Sequence, residues 1–75
     1  MGIRVNLAVE MARAEMSLNA LSEAVGISVT NLSLLKTGKV KGIRFATLAA
    51  ICRVLDCEVG DVLEYIDDTR ESTRY

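Results

Sequence analysis

Two short helical patterns follow each other within residues 17–38, and each begins with a serine and ends with a glycine. Serine is favoured at a helix N-cap, and glycine readily takes the left-handed conformation that ends many helices. Ser17 and Gly26 therefore delimit the first helix, and Ser28 and Gly38 delimit the second. Helices so short and so closely joined must cross steeply, so the sequence predicts a helix-turn-helix.

Apolar residues also recur at helical spacing on both sides of this motif. They predict a helix from Leu7 to about Glu15, capped by Asn6, and a longer helix from Phe45 to Leu55. The apolar residues of the longer helix are Phe45, Leu48, Ile51, Cys52 and Leu55. Gly60 and Asp61 open a last short helix that carries Val62, Leu63 and Ile66. The predicted fold class is all-α, a five-helix bundle with a short extended N-terminus.

The first predicted helix has a core side and a solvent side. Leu7, Met11 and Ala14 recur at helical spacing and are expected to face the core, with Glu10 and Arg13 exposed.

The chain is short enough that a single domain is expected. It has 75 residues, of which 51% are hydrophobic. Residues 1–66 form the predicted domain, and the polar residues 67–75 are expected to be disordered. No stretch reaches the length of a membrane span, and no signal peptide is recognised. These features predict a soluble, cytoplasmic protein.

Charge is distributed unevenly along the chain, although the formal net charge is only −1. Residues 24–55 contain five basic side chains and no acidic one. Residues 56–68 contain six acidic side chains and no basic one. The basic stretch starts inside the predicted helix-turn-helix, which favours a polyanionic partner for that part of the molecule.

The chain offers little for catalysis or metal binding. It has no histidine and only two cysteines, Cys52 and Cys57, which are too few for a structural zinc site. We interpret both as free buried thiols of a reducing compartment, with a thiol switch as the alternative. Their spacing, with Cys52 inside a predicted helix and Cys57 beyond its end, argues against an easy bond between them. We predict no enzyme activity, no cofactor and no small-molecule ligand.

The segment S-L-N-A-L-S-E-A-V-G-I-S-V-T-N-L-S-L-L-K-T-G resembles the helix-turn-helix of the Cro and phage-repressor family, also called the xenobiotic-response-element family. The later segment I-R-F-A-T-L-A-A-I-C-R-V-L-D-C-E-V-G-D-V-L-E-Y is similar to the fourth and fifth helices of its compact bacterial members. The resemblance implies a lambda-repressor-like bundle that binds double-stranded DNA and regulates transcription. It also implies that the third helix, about residues 28–37, enters the major groove.

The resemblance assigns DNA contacts to two groups of residues. The candidate base readers are Val29, Thr30, Asn31, Ser33 and Leu34, and the candidate phosphate contacts are Lys36, Thr37, Lys39, Lys41 and Arg44. Val29, Thr30 and Leu34 stand where phage repressors often carry glutamines. Apolar and hydroxyl side chains at these positions predict modest direct readout.

Two further expectations concern partners. A helix-turn-helix of this size reads few bases, so a homodimer is expected, with Ile3, Val5, Leu63, Tyr65 and Ile66 at its interface. An alternative function is a protein-interaction module, an antitoxin or accessory subunit, whose acidic residues 56–68 bind a basic partner. A further alternative is a redox-responsive regulator that senses oxidant through Cys52 or Cys57.

Overall fold

The structure is a computed structural model that describes residues 2–67. Its elements in chain order are β1 (Gly2–Val5), α1 (Leu7–Arg13), α2 (Leu18–Val25), α3 (Val29–Lys36), α4 (Phe45–Leu55), α5 (Val59–Val62) and β2 (Leu63–Ile66). Residues 68–75, most of the predicted tail, lie outside the described part. Within residues 2–67, no helix is long and apolar enough to span a lipid bilayer.

One hydrophobic core joins all five helices. Its fully buried side chains are Leu7 of α1, Leu21 of α2, Leu32 of α3, Ile51 of α4 and Val62 of α5. Burying an aliphatic side chain of this size contributes about 1.5–3 kcal/mol, so each helix is held mainly by its inward residue. The core therefore fixes how α2 and α3 cross.

The N-terminal helix has a different inward face from the one expected. Leu7, Glu10 and Met11 are buried, whereas Ala14 is exposed and lies beyond the end of the helix. The expectation that Glu10 faces solvent is wrong, because it lies three residues after Leu7 and shares its face. The Arg13 guanidinium lies 4.0 Å from the Glu10 carboxylate.

The chain turns sharply where α1 and α4 end. Glu15 and Asp56 take the left-handed conformation there, with φ of 55° and 54°. After α4, the N–H of Asp56 donates to the carbonyl of Arg53, and the N–H of Cys57 donates to that of Cys52. This pattern is a Schellman motif, which brings the side chains on either side of the turn together.

Residues 63–66 differ most from the prediction. They form β2, which pairs antiparallel with β1, so the all-α prediction and the longer fifth helix are corrected. Helix α5 ends after one turn because Leu63 becomes extended, with φ −123° and ψ 140°. The alternation in L-E-Y-I suits a strand, and the extended N-terminus supplies its partner. We call this pair of strands the terminal ribbon.

On one face of the terminal ribbon, one end packs against the core and the other end is exposed to solvent. Val5 pairs with Leu63, and both are half-buried against the core. Ile3 pairs with Tyr65, and these side chains are 62% and 58% exposed. The predicted extended N-terminus is confirmed, and it joins the chain's beginning to residues 63–66.

Candidate nucleic-acid interface

The helix-turn-helix is set by hydrogen bonds at the ends of its two helices. The N–H of Ala20 donates to Ser17 Oγ at 3.1 Å, and the N–H of Asn31 donates to Ser28 Oγ at 3.1 Å. Gly26 has φ 88°, in the left-handed region. Both predicted serine caps and the predicted left-handed glycine are confirmed.

A further contact holds the turn between the helices. Ser22 is buried in α2, and its hydroxyl donates to the carbonyl of Ile27. The resemblance includes a small residue at this position, but it does not reveal the hydrogen bond. A serine among the apolar positions of a short helix is the signal that could have revealed it, because a buried hydroxyl needs a partner.

Helix α3 points one face into the core and leaves the opposite face open. Leu32 and Leu35 are buried. With about 100° between successive residues, the side opposite them carries Thr30, Leu34 and the half-buried Ser33. The exposed face of α3 therefore presents three of the five predicted base readers together.

The remaining predicted residues of α3 lie at its flanks or its end. Val29 and Lys36 are exposed on one flank, and Asn31 is exposed on the other. The hydroxyl of Thr37 donates to the carbonyls of Ser33 (3.1 Å) and Leu34 (3.2 Å). Thr37 therefore stabilises the end of α3 with its hydroxyl, a role that the sequence did not indicate.

A cleft brings the start of α3 close to the start of α4. Its lining includes Ser28 and Asn31 on one side and Gly42, Arg44 and Thr47 on the other. Arg44 is the N-cap residue of α4, and its side chain is exposed. The structure thus brings the predicted phosphate contact Arg44 beside the predicted reader Asn31.

The basic loop after α3 meets the terminal ribbon. A groove between them is lined by Lys41, Val40 and Ile43 from the loop and by Ile3 and Leu63 from the ribbon. Lys39 and Lys41 are exposed on this loop. The predicted phosphate contacts and the predicted dimer residues, which are far apart in sequence, are therefore neighbours.

Phe45 is an exposed aromatic residue that sequence reasoning missed. The sequence assigns it to the apolar repeat of the fourth helix, but the structure leaves it 87% exposed. It is the first residue of α4 and lies about one turn before Leu48, the first buried residue of this helix. The available signal was the position of Phe45 directly after Arg44, because an exposed aromatic ring there adds apolar area beside a basic side chain.

The acidic residues of the C-terminal part have structural partners. The N–H of Glu58 donates to Asp61 Oδ2 at 2.9 Å at the start of α5. Glu64 accepts a hydrogen bond from Asn6 Nδ2 and pairs with Arg4 across the terminal ribbon at 3.7 Å. These contacts explain Asp61 and Glu64 without a basic partner protein.

The two cysteines meet across the turn after α4. The Schellman motif brings Cys52 and Cys57 together, and the N–H of Cys57 donates to the carbonyl of Cys52 at 3.0 Å. Burial raises the pKa of the Cys57 thiol to about 11, and Cys52 and Glu10 add to the rise. Both thiols are free and half-buried. A protonated thiol is a poor nucleophile, so the raised pKa of Cys57 does not favour the redox alternative.

A turn held by the Ser22 hydroxyl, an exposed α3 face and a basic loop beside it define a helix-turn-helix DNA-binding domain. Residues 6–68 match the Cro/C1-type HTH DNA-binding domain family, and the chain belongs to that family. The family consists of DNA-binding regulators of transcription, and the chain is a DNA-binding regulator of this class.

A curated relative and a solved structure are similar to the chain over most of its length. The chain is 53% identical over 68 residues to YozG, an uncharacterized HTH-type transcriptional regulator of Bacillus subtilis (strain 168). The match covers 91% of this chain and 81% of the relative. The structure is also similar to the crystal structure of the transcriptional regulator VanUg, with a TM-score of 0.68 and 33% identity. That match covers 88% of this chain and 89% of VanUg.

Proposed function

We propose that the protein is a sequence-specific, Cro-type repressor that places α3 in the major groove of double-stranded DNA. The observation that carries this proposal is the exposed face of α3, which is followed at once by exposed basic residues on the loop. Thr30, Asn31, Ser33 and the apolar residues Val29 and Leu34 face base edges. In the cell, the protein acts at the nucleoid in the bacterial cytoplasm.

Phosphate contacts supply most of the affinity. Their candidates are Lys36, Lys39, Lys41 and Arg44, which lie in a stretch of 32 residues, 24–55, without an acidic side chain. Ionic contacts to the backbone position a protein without reading sequence. If four phosphates are neutralised per subunit, the logarithm of the association constant falls by about 0.9 per phosphate for each tenfold rise in salt.

A homodimer completes the proposal. The exposed pair Ile3 and Tyr65 lies on the terminal ribbon, next to the basic loop, and Val5, Leu63 and Ile66 continue that ribbon. Two helix-turn-helix units related by a two-fold axis read a pseudo-palindromic site with useful specificity.

Charge reversal tests the DNA-binding surface. We expect the double variant K36E/K41E to lose most of its retention on mixed genomic DNA at low salt, and K41E alone to reduce the salt dependence by about one phosphate contact. Arg53→Glu is the matched control, because Arg53 is also an exposed basic residue but lies on α4, outside the proposed contacts. Unchanged DNA retention in K36E/K41E would exclude this surface.

The same experiment addresses the alternative protein-interaction module. If the wild-type protein binds no DNA at low salt, the fold acts through protein contacts, and the acidic residues 56–68 become the candidate surface. The partners already found for Asp61 and Glu64 within the molecule favour the DNA-binding proposal.

A further inference from the structure

The exposed face of α3 is more apolar than a surface that reads bases by hydrogen bonds. Val29 and Leu34 are each 40% exposed, although both are aliphatic and belong to an eight-residue helix. Thr30 adds a methyl group next to its hydroxyl, one turn before Leu34. Single exposed aliphatic side chains are common on protein surfaces, but these two lie with the Thr30 methyl group on the part of α3 that the proposed function places against DNA.

The hydrogen-bonding groups around this face are partly committed elsewhere. Thr37 donates its hydroxyl to two carbonyls of α3, and Ser28 accepts the N–H of Asn31. These hydroxyls stabilise the two ends of the helix. The centre of the face is consequently formed by Leu34 and the two short hydroxyl side chains of Thr30 and Ser33, with Val29 at its flank.

In the major groove, one base-pair feature suits an aliphatic side chain. The C5-methyl group of thymine projects into the groove, whereas a G·C pair presents no methyl group there. Leu34 and Val29 cannot donate or accept a hydrogen bond, so they would leave the polar edge of a G·C pair without a partner. Against thymine they would bury a methyl group.

We propose that Leu34 and Val29, with the methyl group of Thr30, read thymine C5-methyl groups and so determine the sequence preference of the protein. This inference rests on the proposed function, because it requires α3 to lie in the major groove. Its ligand is an A·T-containing site with thymines placed opposite these side chains.

Removing only the methyl groups tests the inference directly. The protein first selects bound duplexes from a random pool. These duplexes are then amplified in two ways, once with thymidine triphosphate and once with deoxyuridine triphosphate, whose base lacks the methyl group. We expect the deoxyuridine duplexes to bind about tenfold more weakly at the same salt concentration, because burial of each methyl group contributes roughly fourfold. The measurement uses the wild-type protein, so it does not depend on how any variant folds.

Single substitutions in α3 show which side chains are responsible for the preference for thymine over uracil. In Leu34→Ala and Val29→Ala, the ratio of the two dissociation constants should fall towards one, with the stronger loss in Leu34→Ala. The matched control is Val9→Ala, since Val9 is a similarly exposed valine on α1. The control should keep the wild-type ratio.

The possible results separate this inference from the proposed function. Equal dissociation constants for the two duplex types would overturn the inference and leave DNA binding intact. A ratio that persists in both Leu34→Ala and Val29→Ala would also overturn it, because the protein would then sense DNA shape and not methyl contacts. Failure to bind either duplex type at low salt would overturn the proposed function itself.

Discussion

At the scale of single residues, a buried hydroxyl contributes as much to the reading geometry as the exposed side chains. Ser22 holds the turn by donating to the carbonyl of Ile27, so α3 leaves the turn in a fixed direction. A rigid turn matters for the proposed function because displacement of α3 would move all the proposed base contacts together.

Replacing Ser22 with alanine should therefore destabilise the protein. The carbonyl of Ile27 would lose its partner in a part-buried position, at a cost of about 1–3 kcal/mol. We expect thermal unfolding, followed by circular dichroism, to move down by several degrees. Ser33→Ala is the control, because Ser33 is only half-buried and lies on the open face of α3. A melting temperature unchanged in Ser22→Ala would show that the hydroxyl does not hold the turn.

At the scale of elements, the ends of the two helices in the helix-turn-helix were the most predictable part of the chain. The predicted Asn6 cap of α1 is wrong, because the Asn6 side chain donates to Glu64 and accepts from no amide of the helix. Ser17, Ser28 and Gly26 have local roles that depend on a few neighbouring residues, and the structure confirms them. The exposed face of α3 also followed from helical spacing once Leu32 and Leu35 were assigned to the core.

The elements that the sequence did not predict depend on distant partners. Residues 63–66 fit both a helix, through Leu63 and Ile66, and a strand, through the alternation in L-E-Y-I, and pairing with residues 2–5 makes them a strand. The meeting of Lys41 with Ile3 and Leu63 depends on the same pairing. Local propensity carries no information about such contacts, since they join residues about sixty positions apart.

The junction between α4 and α5 should respond to alkaline pH. The Cys57 thiol has its pKa raised from 9.0 to about 11 by burial, so the folded state holds the proton more tightly than the unfolded state. The free energy of unfolding should consequently decrease as the pH rises from about 9 to about 11. Urea titrations at several pH values measure this dependence.

The contribution of Cys57 is isolated by comparison with Cys57→Ala. The variant should lose less stability than the wild type over the same pH range, because it lacks the thiol whose pKa is raised in the folded state. Identical pH profiles would mean that Cys57 is not held as a protonated thiol in the folded protein.

At the scale of the whole molecule, the proposed recognition of a two-fold symmetric DNA site requires two copies of the chain. The terminal ribbon leaves Ile3 and Tyr65 exposed beside the groove that contains Lys41, and a two-fold contact there would bury them. We expect sedimentation at micromolar concentration to show a dimer of the wild-type protein. A monomer at that concentration would contradict the proposed homodimer.

A charge on the ribbon should disrupt this dimer. Ile3→Lys is expected to shift the protein to the monomer and to weaken specific DNA binding, while its helical content stays unchanged. Val9→Lys introduces the same charge at a comparably exposed position on α1, so it serves as the matched control. Equal dissociation of both variants would point to a general effect of charge.

The central claim is that α3 reads a DNA sequence, with the basic loop on the phosphates. Selection of bound sequences from a random DNA pool tests it most directly. We predict enrichment of a two-fold symmetric consensus that contains thymines in each half-site. An enriched pool without a shared motif, or one bound no more tightly than the starting pool, would contradict sequence-specific recognition by this helix-turn-helix.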